Sequence, residues 1–198
     1  MSIELSDELL MHNYRHGDLA AFKELYRRHR QGLYQFIAWR SPRKDWVEEI
    51  VQDSWANLHK ARLTYQPHAS FKTFLYQIAR NRLIDLLRQK QTILASELGY
   101  DEDAGAYFDR LADATGDLAS PQDALEGKQQ IAGLHAAIRA LPGDQKEALI
   151  LQQFNGMSLD EIAVLTGVTA ETVKSRLRYA MNKLRRQLLD APQQSELA

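Results

Sequence analysis

Glu171, Lys174, Ser175 and Arg178 recur at the three- and four-residue spacing that puts side chains on one face of a helix. They offer two cations, a hydroxyl and a carboxylate, the donors and acceptors that read base edges in a DNA major groove. Thr169 and Thr172 add hydroxyls at the start of the same stretch, and Arg176 at its flank suits a phosphate contact. An ordinary helical hairpin with a solvated charged face carries similar residues. The surrounding elements separate the two readings.

Those elements span Ser158 to Arg178, SLDEIAVLTGVTAETVKSRLR, whose pattern predicts a helix-turn-helix. Ser158 and Glu161 have the spacing of a capping box, with Met157 and Ile162 placed as its hydrophobic staple. Ile162, Ala163 and Leu165 are expected to face inward. Gly167 supplies the left-handed backbone that a short inter-helix turn requires. Thr169 is a candidate cap for the second helix. In that helix Val173, Leu177, Ala180, Leu184 and Leu188 form an apolar stripe opposite the polar face. Cap, staple, turn glycine and basic outward face agree, which favours DNA.

A chain of 198 residues allows one or two domains with cores that need no staples. Without cysteine it has no disulfides, cysteine metal sites or thiol nucleophiles. The start MSIELSDELL shows no signal peptide, and no run reaches the length of a membrane-spanning helix, so the expected location is cytoplasmic. Net charge is −1, but it is unevenly spread. Residues 1–90 carry fifteen Lys or Arg against ten acids, and residues 128–198 nine against seven. Residues 91–127 carry one base, Arg110, against nine acids. Neither basic block is dense enough in cations for strong DNA binding alone, which points to a partner that delivers the protein.

The N-terminal block reads as helices throughout. One is expected from Ser6 or Asp7 to Tyr14, and a second from Leu19 to about Trp39, ended by Ser41-Pro42. A third covers about Asp45 to Ala61, with Ile50, Ser54, Trp55 and Leu58 inward and Glu48, Glu49, Gln52 and Asp53 displayed outside. After a polar loop at Thr64–Ser70, a fourth runs from Phe71 to about Gln89 with a basic C-terminal half. His12 and His16 are four apart, but no third metal ligand accompanies them. No catalytic constellation and no cofactor motif is visible.

The segments EEIVQDSWANLHKA (Glu48–Ala61) and FKTFLYQIARNRLIDLLRQK (Phe71–Lys90) resemble region 2 of bacterial sigma factors. The run LPGDQKEALILQQFNGMSLDEIAVLTGVTAETVKSRL (Leu141–Leu177) resembles region 4. With both present and little between them, the chain is similar to the extracytoplasmic-function (group IV) sigma factors. The resemblance implies a transcription initiation factor that is not an enzyme. Its partners would be core RNA polymerase, through the β′ clamp helices and the β flap, promoter DNA and an anti-sigma factor.

Carried over by position, Glu48, Glu49, Gln52 and Asp53 match the family's clamp-docking helix. Tyr65, Phe71, Lys72, Arg80, Asn81 and Arg88 match the part that melts and captures the downstream (−10) element. Flipped-base capture needs a pocket and stacking surfaces, and strand tracking needs cations. Phe71 and Phe74 at helical spacing also fit a core. Thr169, Glu171, Thr172, Lys174, Ser175, Arg176 and Arg178 match the helix that reads the upstream (−35) element. Relatives often continue SRL with two arginines around an alanine, whereas Tyr179, Ala180 and Met181 follow Arg178 here, so no relative's promoter preference is transferred.

The expected fold is all-α: a helical domain over 1–90, a flexible acidic linker over 91–127, and a helix-turn-helix domain over 128–198. The linker acids suit a basic polymerase channel, or merely keep a tether soluble. A stand-alone helix-turn-helix regulator and a helical protein-binding adaptor are the alternatives. The regulator would need a sensing domain, normally with strands, and few strand-like alternations are present.

Overall fold

The structure, a computed structural model, describes residues 5–66, 69–97 and 121–190, the side chains of 90–97, 121–129 and 190 excepted. Its first four helices are α1 (Asp7–Arg15), α2 (Leu19–Ala38), α3 (Lys44–Ala61) and α4 (Phe71–Glu97). Ser6 caps α1 by accepting from the Leu9 N–H at 3.3 Å. Asp18 caps α2, its Oδ1 accepting from Ala20 N at 2.8 Å and Ala21 N at 3.2 Å. Gly17 between them has φ +100°, the conformation that turns one helix into the next. The apolar faces read from spacing close on one another: Met11, Leu25, Leu33, Phe36, Ile37, Ile50, Leu58, Phe71, Leu75 and Leu83 are all fully buried. Ser54 enters this core without leaving its hydroxyl unpaired, because it donates to the Ile50 carbonyl at 2.6 Å.

The C-terminal half begins with α5 (Pro121–Arg139) and α6 (Gly143–Leu149). A π-helical turn over Ile150–Phe154 follows, then α7 (Leu159–Thr166) and α8 (Ala170–Asp190). Proline at the first position of α5 fits, since its fixed φ is already helical and its missing N–H would have had no helical acceptor. The capping box is complete: Ser158 Oγ accepts from Glu161 N at 3.2 Å, and Glu161 Oε2 accepts from Ser158 N at 2.9 Å. Met157 and Ile162, the staple pair, are both buried. Replacing Ser158 with alanine is expected to cost about 1 kcal/mol of stability by orphaning the helix N-terminus. Urea unfolding of wild type and Ser158→Ala checks this, and identical midpoints would refute it.

The structure departs from the sequence reading in three places. Helix α4 runs on to Glu97 and α5 starts at Pro121, so the segment read as a linker carries helix at both ends. Leu, Ala and Glu at its margins favour continuation of a helix already nucleated. Residues 98–120, which hold most of its acids, lie outside the described residues. The apolar stripe of α8 ends at Leu184, and Leu188 is 41% exposed because the helix outruns the bundle. Finally, the two halves are packed together: α2 and α4 lie against the π turn and α7.

Candidate nucleic-acid interface

Helices α7 and α8 are joined through Gly167, whose φ of 71° and ψ of 31° are the left-handed values expected of a turn glycine. Thr169 caps α8, its Oγ1 accepting from Thr172 N at 3.2 Å. Val173, Leu177, Ala180 and Leu184 are buried on one side of α8. Thr169, Glu171, Thr172, Lys174 and Arg178 are exposed on the other, with Ser175 half-buried between. Lys174 and Glu171 pair at 3.6 Å on highly exposed side chains, a weak tie that yields readily to DNA. Arg178 lies over the exposed Tyr179 ring, 5.3 Å from its centroid. Arg176 differs from expectation: it is tied to Asp144 of α6 at 2.8 Å, because its place beside buried Leu177 aims it along the α6 flank. In this structure it braces the unit and is not a free phosphate contact.

The strand-capture candidates divide in four. Tyr65 and Phe74 pack ring against ring, centroids 5.0 Å apart, at a cavity of about 330 Å³ also lined by Ala61, Thr64, Gln66 and Gln77. The Tyr65 hydroxyl is buried without a hydrogen-bond partner, and burial, aided by the charge of Glu8, raises its pKa. An unsatisfied buried donor at the wall of a cavity is suited to a polar group entering from outside. Phe71, by contrast, is fully buried with its ring 5.2 Å from His29, and its N–H donates to Glu8 at 3.1 Å. It is a core residue with no face to offer a base. Asn81 and Arg88 are exposed.

Lys72 and Arg80 are engaged across the molecule. Lys72 Nζ donates to the Asn155 carbonyl at 2.8 Å, and Arg80 Nε donates to Glu147 at 3.0 Å. Sequence reasoning passed over the groups that hold them, Asn155 and Glu147, and also Tyr76 and Arg40, which meet the same two residues. Two signals were present. Glu147 opens the apolar run Ala148-Leu149-Ile150-Leu151, and Gly32 is isolated inside a helical pattern, where glycine commonly marks close packing.

On α3, Glu48, Glu49 and Gln52 are exposed, as expected of a docking face. Glu49 and Asp53 are bridged by one cation of α4: Arg82 donates to Glu49 Oε1 at 2.8 Å and to Asp53 Oδ2 at 2.7 Å. Among the described residues no group of three or more His or acidic side chains could hold a metal. None of their helices is long and apolar enough to cross a membrane.

Residues 25–93 match the family Sigma-70 region 2, and residues 131–184 match Sigma-70, region 4. A curated relative, the ECF RNA polymerase sigma factor RpoE of Cereibacter sphaeroides, is 30% identical over 174 residues, 87% of this chain and 89% of that protein. The solved structure of CnrH in complex with the cytosolic domain of CnrY aligns with TM-score 0.65 at 24% identity, covering 94% of this chain and 98% of that one. The sigma factor RpoE in complex with the anti-sigma factor NepR, from Bartonella quintana, aligns with TM-score 0.63 at 22% identity, covering 84% and 96%. At these identities the two structures speak to fold alone.

Proposed function

Because the chain belongs to the ECF sigma factors of RNA polymerase, with sigma-70 regions 2 and 4 in one polypeptide, we propose that it works entirely by recognition. It binds core polymerase, directs it to promoters and helps open the duplex, without a covalent step of its own. The observation that carries this reading is the pairing of a four-helix unit that holds the Tyr65 cavity with a helix-turn-helix that exposes Lys174 and Arg178.

In this reading α8 enters the major groove of the upstream element, with Lys174, Ser175 and Arg178 against base edges. The Tyr65–Phe74 cavity takes an extruded base of the downstream element, and Lys72, Arg80, Asn81 and Arg88 track the strand. Glu48, Glu49, Gln52 and Asp53 meet the basic clamp helices of the β′ subunit, and the C-terminal unit meets the β flap. An anti-sigma factor is a further expected partner, and the Bartonella protein named above is in complex with one. All of this takes place in the cytoplasm, where the polymerase is.

The test is reconstitution. Purified chain added to core polymerase should start transcripts at a defined promoter that core alone ignores. Failure to direct specific initiation on a pool of genomic fragments, by protein that does bind core, would sink the proposal.

A further inference from the structure

Helix α1 presents three polar side chains whose partners lie at the end of α3, at Tyr65 and at the start of α4. Glu8 and Arg15 are seven residues apart, so they share one face of α1 at two turns, about 10 Å, along its axis. Glu8 Oε1 accepts from the Phe71 N–H at 3.1 Å. Phe71 is the first residue of α4, and its N–H has no acceptor within its own helix. Ser70 Oγ already serves Thr73 N at 3.2 Å. Glu8 thus supplies a second cap from a different helix, with a charge that suits a helix N-terminus. Arg15 donates to the Tyr65 carbonyl at 3.4 Å. Tyr14 reaches His59, in the last turn of α3, at 2.5 Å. Arg62 can only donate, and it lies 3.2 Å from His59 Nε2. The ring proton is therefore on Nδ1, and the Tyr14 oxygen accepts it.

Helix α1 is itself pinned. Asp7 accepts from Arg28 at 2.9 Å and from His29 at 2.6 Å, both on α2, and Leu10, Met11 and Tyr14 are buried. A helix held in this way is a fixed reference for whatever it grips. It grips both walls of the Tyr65–Phe74 cavity: Tyr65 through its main chain, and Phe74 through the first residue of the helix that carries it. Glu8 and Arg15 are exposed, and neither lines the cavity. Ties made by solvated charges contribute little to stability, so their effect falls on geometry more than on folding.

We propose that Glu8 and Arg15 are positioning residues for strand capture: from α1 they set the gap between the Tyr65 and Phe74 rings, and with it which base the cavity accepts. The capture step rests on the reading of that cavity as a base pocket, whereas the positioning rests on the hydrogen bonds alone.

Two measurements test it, both on the full chain. In the free chain, ring-to-ring nuclear Overhauser contacts between Tyr65 and Phe74 should weaken in Arg15→Ala and in Glu8→Ala. In holoenzyme, forked promoter duplexes carry each of the four bases in turn along the downstream element. There the preferred base should lose roughly fivefold of its advantage at one position, the scale of one lost hydrogen bond. Affinity for the upstream element should hold. Glu8→Gln keeps an acceptor oxygen and should restore both readouts. If Glu8→Ala fails to fold, Arg15→Ala, at an exposed residue, carries the test.

Unchanged ring contacts in folded variants overturn the positioning. Altered ring contacts with the wild-type ranking of bases overturn its part in capture, as does a lower melting temperature that leaves the ranking intact. A wild-type holoenzyme with no base preference anywhere in the downstream element is instead a failure of the initiation-factor reading, and the ring contacts then still decide the positioning.

Discussion

Replacing Lys174 or Arg178 with alanine is expected to lower affinity for the correct upstream promoter element by about 1–3 kcal/mol each, roughly five- to 150-fold. Both side chains are on the exposed face of α8, and the partner of Lys174 is a solvated carboxylate at 3.6 Å. Neither substitution removes a core contact, so melting should hold while promoter selection falls. A base-reading residue loses discrimination at one position of the element, whereas a phosphate contact weakens every sequence alike. The two are separated by titrating holoenzyme against a panel of single-base promoter variants at fixed salt. Arg176→Ala is the internal control. Its tie to Asp144 makes a small stability loss the expected result, with little change in sequence preference. If both α8 mutants keep the wild-type ranking of promoters and the wild-type affinity, this face is not the reading head.

Reversing charge at Glu49 and Asp53 together is expected to weaken association with core polymerase by about 2–5 kcal/mol, on the scale of desolvated charge pairs at interfaces. The loss should shrink as salt rises. Arg82 complicates the double lysine variant, since it bridges both acids and would then face two cations. The isosteric pair Glu49→Gln and Asp53→Asn avoids that repulsion and should give a smaller loss of the same sign. Duplex promoter binding by the C-terminal helix-turn-helix should be unaffected. Wild-type affinity for core in a fluorescence titration, with both pairs folded, would remove this surface from the docking site.

The helix-turn-helix was legible because its determinants are local. Ser158, Glu161, Gly167 and Thr169 each satisfy or redirect backbone groups within three residues of themselves, and each was found where spacing put it. The inward faces of α2, α3 and α4 were legible for the same reason, since helical periodicity is a short-range signal. The tie of Arg176 to Asp144 was not legible, because the two are 32 residues apart and Asp144 gives no local sign of it. Lys72 and Arg80 were read by chemistry, as cations in the right segment, but not that Asn155 and Glu147 would hold them. Phe71 shows the limit of analogy: position allowed a stacking role, and burial decided for the core.

The π turn at Ile150–Phe154 makes this segment more sensitive to its length than to its composition. One residue of an α-helix corresponds to a rotation of about 100°. A π turn inserts surplus residues into a helical path and resets the azimuth of whatever follows. Here it brings Asn155 N onto the Ile150 carbonyl at 3.2 Å and hands the chain through Gly156, φ +61°, to the cap at Ser158. Gln153 is exposed, so its side chain can vary, whereas Ile150 and Leu151 are fully buried. Deleting Gln153 is another matter: the turn would tighten to an α-helix, and α7 and α8 would swing about the axis of α6. A point substitution at exposed Gln153 is expected to be silent, while a frame-preserving loss of its codon would disorient everything downstream.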